Sequence, residues 1–159
     1  MATGTCKAAM RLLTCFCGCS EMSEEEVRRI YRLNAQDTLN DTRAAQIFRR
    51  FLEQDRCGEK GEIENYLDIY EMCSEYLKED CLTFDQLNAL YEMELKYYLE
   101  KKLNLYIMLL EEKQRENIHM HEIERDLKRI QADYRCEIEA SEEYRNYKHA
   151  ILKKLKQLT

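Results

Sequence analysis

The chain of 159 residues contains no proline, and none of its four glycines falls after Gly61. A sheet needs tight reversals, and tight reversals draw on glycine and proline for the backbone angles they impose. No run of Val, Ile and Thr alternates with polar residues at a period of two, as a half-buried strand does. Charged residues make up 35% of the chain and are mostly the Glu, Lys and Arg that suit helices. The expected fold class is therefore all-α, and the length allows one domain with a real core, or one domain plus a tail.

The most informative stretch runs from Arg43 to Lys78. Ala44, Ile47, Phe48, Phe51 and Leu52 recur at helical spacing, with Arg49, Arg50, Glu53 and Gln54 opposite. Gly58 and Gly61 interrupt the pattern. A second stripe follows: Ile63, Tyr66, Leu67, Tyr70, Cys73, Tyr76 and Leu77. Upstream, Ser23 with Glu26 three positions on predicts a capping box, starting a helix that carries Val27, Ile30, Tyr31 and Leu33. Residues 34–40 are polar and read as a loop, with Asp41 or Thr42 capping the next helix. Downstream, Thr83 with Gln86 predicts another helix start, and Phe84, Leu87, Leu90, Tyr91, Leu95, Tyr98, Leu105 and Leu109 carry that helix to about residue 114. The polar run 111–117 is the expected turn. Ile123, Leu127, Ile130 and Tyr134 form the next stripe. Ser141 is the expected cap of a last helix carrying Tyr144, Tyr147, Ile151, Leu152, Leu155 and Leu158.

One heptad register can also be drawn from Phe84 to Leu158, broken by polar residues at Asn88, Lys102, Glu112, Glu116, His119, Glu137, Ser141 and Lys148. Two architectures therefore remain: a compact multi-helix bundle, and a long coiled coil over about 83–158. The bundle implies a monomer and the coiled coil a dimer.

The net charge is −6, with both signs interspersed, which argues against nucleic acid as the main partner. Residues 1–22 form a cysteine-rich leader, distinct from 23–159. Arg11 interrupts any apolar signal core, and no window approaches the ~18 apolar residues of a membrane span. The expected location is cytoplasmic, with reduced thiols. Cys15, Cys17 and Cys19 stand among Lys7, Arg11, Leu12, Leu13 and Phe16. Three readings fit them: S-acylation, by which two chains anchor stably where one is marginal; a zinc site, against which the C-x-C-x-C spacing counts; or a leader whose thiols have no role. No H-E-x-x-H is present, and His119 and His121 face different sides of a helix, so no metal is expected. A Gly-rich phosphate loop is lacking, as is a thiol with a nearby histidine, so no cofactor and no catalytic residue of its own are assigned.

The helix pair resembles the first half of a regulator of G-protein signalling domain. Phe48-Arg-Arg-Phe51-Leu52 is similar to that family's Phe-x-x-Phe-Leu helix. Glu64-Asn65 resembles its loop pair, one residue early, and Ile69-Tyr70 stands where the family has Phe-Trp. Cys73 and Glu75-Tyr76 continue the likeness, and Glu116-Asn117-Ile118 is similar to the second asparagine loop. The leader resembles the cysteine string of some members. The family's late segment meeting the Gα switch regions aligns with Glu142-Glu-Tyr-Arg-Asn-Tyr147, where Asn146 occupies the arginine position.

The resemblance implies a compact helical bundle that binds a Gα subunit at the inner face of the plasma membrane and supplies no catalytic group. In such a pair Gα contributes the arginine and glutamine, and the partner steadies the switch loops. Glu64, Asn65, Asn117 and Asn146 are the implied contacts, since an asparagine amide both donates and accepts. The absent arginine implies binding or scaffolding rather than acceleration of GTP hydrolysis. The alternative is a structural coiled-coil protein with no link to G proteins.

Overall fold

A computed structural model describes residues 23–55, 58–97 and 120–158. Among them are seven helices and no strand, the all-α class expected. The leader with Cys15, Cys17 and Cys19, the turn expected at 111–117 and Asn117 lie outside the described residues.

Helix α1 spans Glu24–Arg32. The Ser23 Oγ accepts from the Glu26 N–H at 3.2 Å, so the serine half of the expected capping box forms. The Glu26 carboxylate lies 3.8 Å from the Arg43 Nε. Residues 34–40 depart from the expected loop. Asn34 caps a short helix α2, Ala35–Asn40, through an Oδ1 that accepts from the Asp37 N–H at 2.7 Å. Ala35, Thr38 and Leu39 share one face at i, i+3 and i+4, and all three are buried. Asp41 ends α2 and starts α3, Thr42–Asp55. Its Oδ1 accepts from the Ala44 N–H at 2.9 Å, while its Oδ2 accepts from Arg29 at 2.8 Å.

Helix α4 spans Glu62–Leu77, after a loop in which Gly58 takes a φ of +98°, a conformation costly for any residue with a Cβ. Helix α5 spans Phe84–Lys96 behind the expected Thr83 box: the Gln86 side chain accepts from the Thr83 N–H at 2.8 Å, and the Asp85 N–H donates to the Thr83 Oγ1 at 3.3 Å. Tyr97 caps α5, so the described helix ends well short of residue 114; residues 98–119 lie outside the description. Leu95, expected on the buried stripe, is 41% exposed, and its neighbour Glu94 is buried instead.

Helices α6, Met120–Glu139, and α7, Glu142–Leu158, are separated by Ala140 and Ser141. The Ser141 Oγ donates to the Ile138 carbonyl at 2.6 Å and accepts from the Tyr144 N–H at 3.1 Å. One hydroxyl thus closes α6 and opens α7, at a position that the heptad register treats as continuous helix. Beyond the break, Tyr144, Ile151 and Leu155 of the register are buried, and so is Tyr147, which the register leaves outside.

The chain divides into two compact units, one formed by residues up to Glu64 together with Glu137 onward, the other by Asn65–Cys136. In the first, α1 packs on α7, α2 on α3, and α3 on α7. Phe48 is its centre, fully buried, with its ring centroid 4.9 Å from that of Tyr147 and 5.7 Å, edge-on, from that of Tyr144. Phe51 meets Tyr147 at 5.7 Å. Tilted and edge-on pairs at these separations suit the ring quadrupoles. Val27, Ile30, Ala44, Ile47, Ile151 and Leu155 complete the core.

In the second unit Leu67, Ile69, Tyr70, Leu90, Leu127, Ile130 and Tyr134 are buried. The Tyr66 and Tyr134 rings lie 5.2 Å apart. Gln131 of α6 donates to the Ser74 Oγ at 2.5 Å and to the Tyr70 carbonyl at 3.4 Å. The Tyr97 hydroxyl donates to Asp68 at 3.1 Å. Tyr134 donates to the carboxylate of Glu94, which gives that buried acid a partner in place of the water it lost.

Candidate partner-binding surface

Helix α7 positions the residues that a partner could meet. Its inward face is set by Tyr144, Tyr147, Ile151 and Leu155, one turn apart. Burial pushes the Tyr147 phenol up, aided by Tyr144 and by the charge of Asp41. Burial also raises Tyr144, with the Thr38 hydroxyl offsetting part of the effect. Both phenols therefore stay protonated and hold the helix as core residues. With these tyrosines turned inward, Arg145 and Asn146 between them are exposed.

Lys148 fixes the helix from its side. Its ammonium donates to the Leu33 carbonyl at 3.0 Å and also to the Tyr31 carbonyl. It sits 4.7 Å from the centroid of the Tyr31 ring. These carbonyls end α1, where the partial negative charge of the helix gathers and no intrahelical donor remains. Desolvation lowers the Lys148 pKa; the carbonyls and the ring face compensate for part of the hydration lost.

The residues carried over from the resemblance do not share one environment. Asn146 is exposed on α7. Glu64 is 2% exposed, in the first turn of α4, and so presents no surface to a partner. Asn65 follows it, half-buried, with its Oδ1 buried and without a hydrogen-bond partner among the described residues. Such an oxygen carries an unrecovered desolvation cost of about 1–3 kcal/mol.

The solvent side of α7 also carries a feature that composition hides. After Glu143 the chain contains Arg145, Lys148, Lys153, Lys154 and Lys156 and no acidic residue. Arg145, His149, Lys153 and Lys156 recur at i, i+4, i+8 and i+11, one face of a helix, and all four are exposed. Counting charges over the whole chain averages this stripe away; the signal was the loss of Asp and Glu after Glu143.

Among the described residues no group of three His, Cys, Asp or Glu side chains converges as metal ligands would, and no helix is long and apolar enough to cross a membrane. No protein-family model, curated protein or solved structure matches the chain.

Proposed function

We propose that the chain is a module resembling the regulators of G-protein signalling, which binds a Gα subunit at the cytoplasmic face of the plasma membrane and scaffolds rather than accelerates its GTPase. What carries this reading is the packing of Phe48 and Phe51 on Tyr144 and Tyr147. The Phe-x-x-Phe-Leu helix and the Tyr-x-x-Tyr segment, two separate pieces of the resemblance, form one core. That core turns Asn146 outward, where the family meets Gα. Asn146 can bond a switch-loop backbone through its amide, but it lacks the charge and reach of an arginine. Asn65 and Asn117 are the further contacts that the resemblance supplies to this proposal. Glu64, buried in the first turn of α4, enters it only as the neighbour of Asn65. Acyl chains on Cys15, Cys17 and Cys19 provide the membrane anchor.

The test uses the full chain with a panel of Gα subunits in the GDP, GDP–aluminium fluoride and GTP-analogue states. The expected result is binding to at least one subunit, weakened by Asn146→Ala, with single-turnover GTP hydrolysis unchanged. A several-fold faster hydrolysis would restore the accelerating role. No binding to any subunit at ~10 μM, together with a dimer in light scattering, would transfer the chain to the coiled-coil class. The burial of Tyr144, Ile151 and Leu155 within one unit favours the bundle, because those seam positions are already used.

A further inference from the structure

We infer that the outer face of α7 is a docking surface for anionic lipid headgroups. The observation is the stripe Arg145, His149, Lys153 and Lys156, with Lys154 at its edge, on a helix whose opposite face is locked into the core. Arg145, His149 and Lys153 form no ion pair among the described residues. Elsewhere acidic side chains interleave with basic ones: Arg28 pairs with Glu24, Lys78 with Glu75 and Lys128 with Glu124. On α7, Glu142 and Glu143 stand only in the first turn, and the positive face starts after them.

A chain of net charge −6 is repelled as a whole by a negative surface. A local stripe overcomes this only over distances near the Debye length, about 10 Å at 0.1 M salt. It therefore selects an orientation, with α7 against the lipid. Leu152 flanks the stripe half-buried, and among the described residues of α7 no large apolar side chain is exposed, so the attraction is mainly electrostatic and reversible. Arg145, Lys153 and Lys156 on this face, with half-buried Lys154 on the flank, approach the basic clusters that suit a leaflet rich in phosphatidylserine, each charge adding about a factor of five to partitioning. A lipid surface is the proposed occupant because the four residues spread along about 16 Å of one helix face, as a layer of anionic headgroups would meet them. It also supplies the second signal that stable anchoring requires beside an acyl chain. In that respect the inference deepens the proposed membrane location, while needing neither acylation nor Gα.

The experiment uses the full chain, unacylated, and vesicles of phosphatidylcholine alone or with phosphatidylserine at about one third, separated by flotation. Partitioning onto the phosphatidylserine vesicles only, abolished by high salt, is expected. The triple variant Lys153→Gln, Lys154→Gln, Lys156→Gln should lose about a hundredfold, and Arg145→Gln alone about fivefold, both with unchanged circular dichroism. Lys7 and Arg11 of the leader remain in every variant and cancel in the comparison. Absence of wild-type partitioning overturns the inference, as does equal binding to neutral vesicles or undiminished binding of the triple variant. So does capture of polyglutamate or RNA in place of vesicles. Gα binding, measured separately on the triple variant, should be unaltered, so the two proposals can fail independently.

Discussion

Asp41 performs two tasks with one carboxylate, and they can be taken apart. Its Oδ1 caps α3 through the Ala44 N–H, and its Oδ2 pairs with Arg29. Losing a cap costs about 1 kcal/mol. The ion pair is worth less, because the Arg29 side chain is 48% exposed and Asp41 28%. Asp41→Ala removes both, for a loss of about 1 kcal/mol from the cap and a smaller part from the pair. Asp41→Asn keeps a capping oxygen and removes the charge, so it should lose only that smaller part. Urea unfolding followed by circular dichroism reads the two values.

The pH dependence supplies a second check. The hydrogen bond from Arg29 holds the Asp41 carboxyl below its usual range, helped by the Ala44 N–H. A folded-state pKa below the unfolded one gives stability that is present above the unfolded value, near 4, and lost as pH falls through the folded one. The advantage of wild type over Asp41→Asn should therefore persist near pH 7 and fade as the pH falls below the unfolded value. Equal losses for Asn and Ala at neutral pH would refute the cap. A wild-type advantage unchanged into strong acid would refute the ion pair.

Two further outcomes follow from burial. Phe48→Ala should cost about 3–5 kcal/mol, because the ring is fully enclosed by Tyr144 and Tyr147; half-buried Phe51 should cost clearly less in the same urea titration, and equal costs would contradict the packing. Burial pushes the Cys73 thiol up to about 12, so iodoacetamide at mildly alkaline pH should label exposed Cys81 and Cys136 in the native protein and Cys73 only after unfolding. Because that folded pKa is raised, the contribution of Cys73 is complete below the unfolded thiol value, declines as the pH rises above it, and is gone once the pH has passed about 12.

Much of the helical skeleton was legible from side chains that bond locally. Ser23, Thr83 and Ser141 each satisfy a backbone N–H within three residues, so their effect is written in neighbouring sequence. The stripe from Phe48 and the one from Tyr144 were legible for the same reason of short period. Helix α2 was not, because Gln36, Asp37 and Asn40 outweigh its apolar face in a six-residue window; Asn34 with Asp37 was the signal. Leu95 was misjudged because hydropathy ranks it above its buried neighbour Glu94. A distant hydroxyl, that of Tyr134, gives Glu94 a partner in the interior, and no local rule reports a partner on another helix. The same holds for Glu64, where sequence supplied a motif match but not depth. The basic stripe needed the rotation of α7, which the buried tyrosines define.

The two carbonyls at the end of α1 wait for an ammonium 117 and 115 residues further along the chain. During synthesis, helix α1 leaves the ribosome well before α7 and stays without that donor until Lys148 has followed. Its apolar side, Val27 and Ile30, packs against the last helix and must remain uncovered, or be shielded by a chaperone, for the same interval. Completion of the first unit thus waits for a large loop to close. A polypeptide cut ahead of Lys148 would lack the donor on which the end of α1 depends.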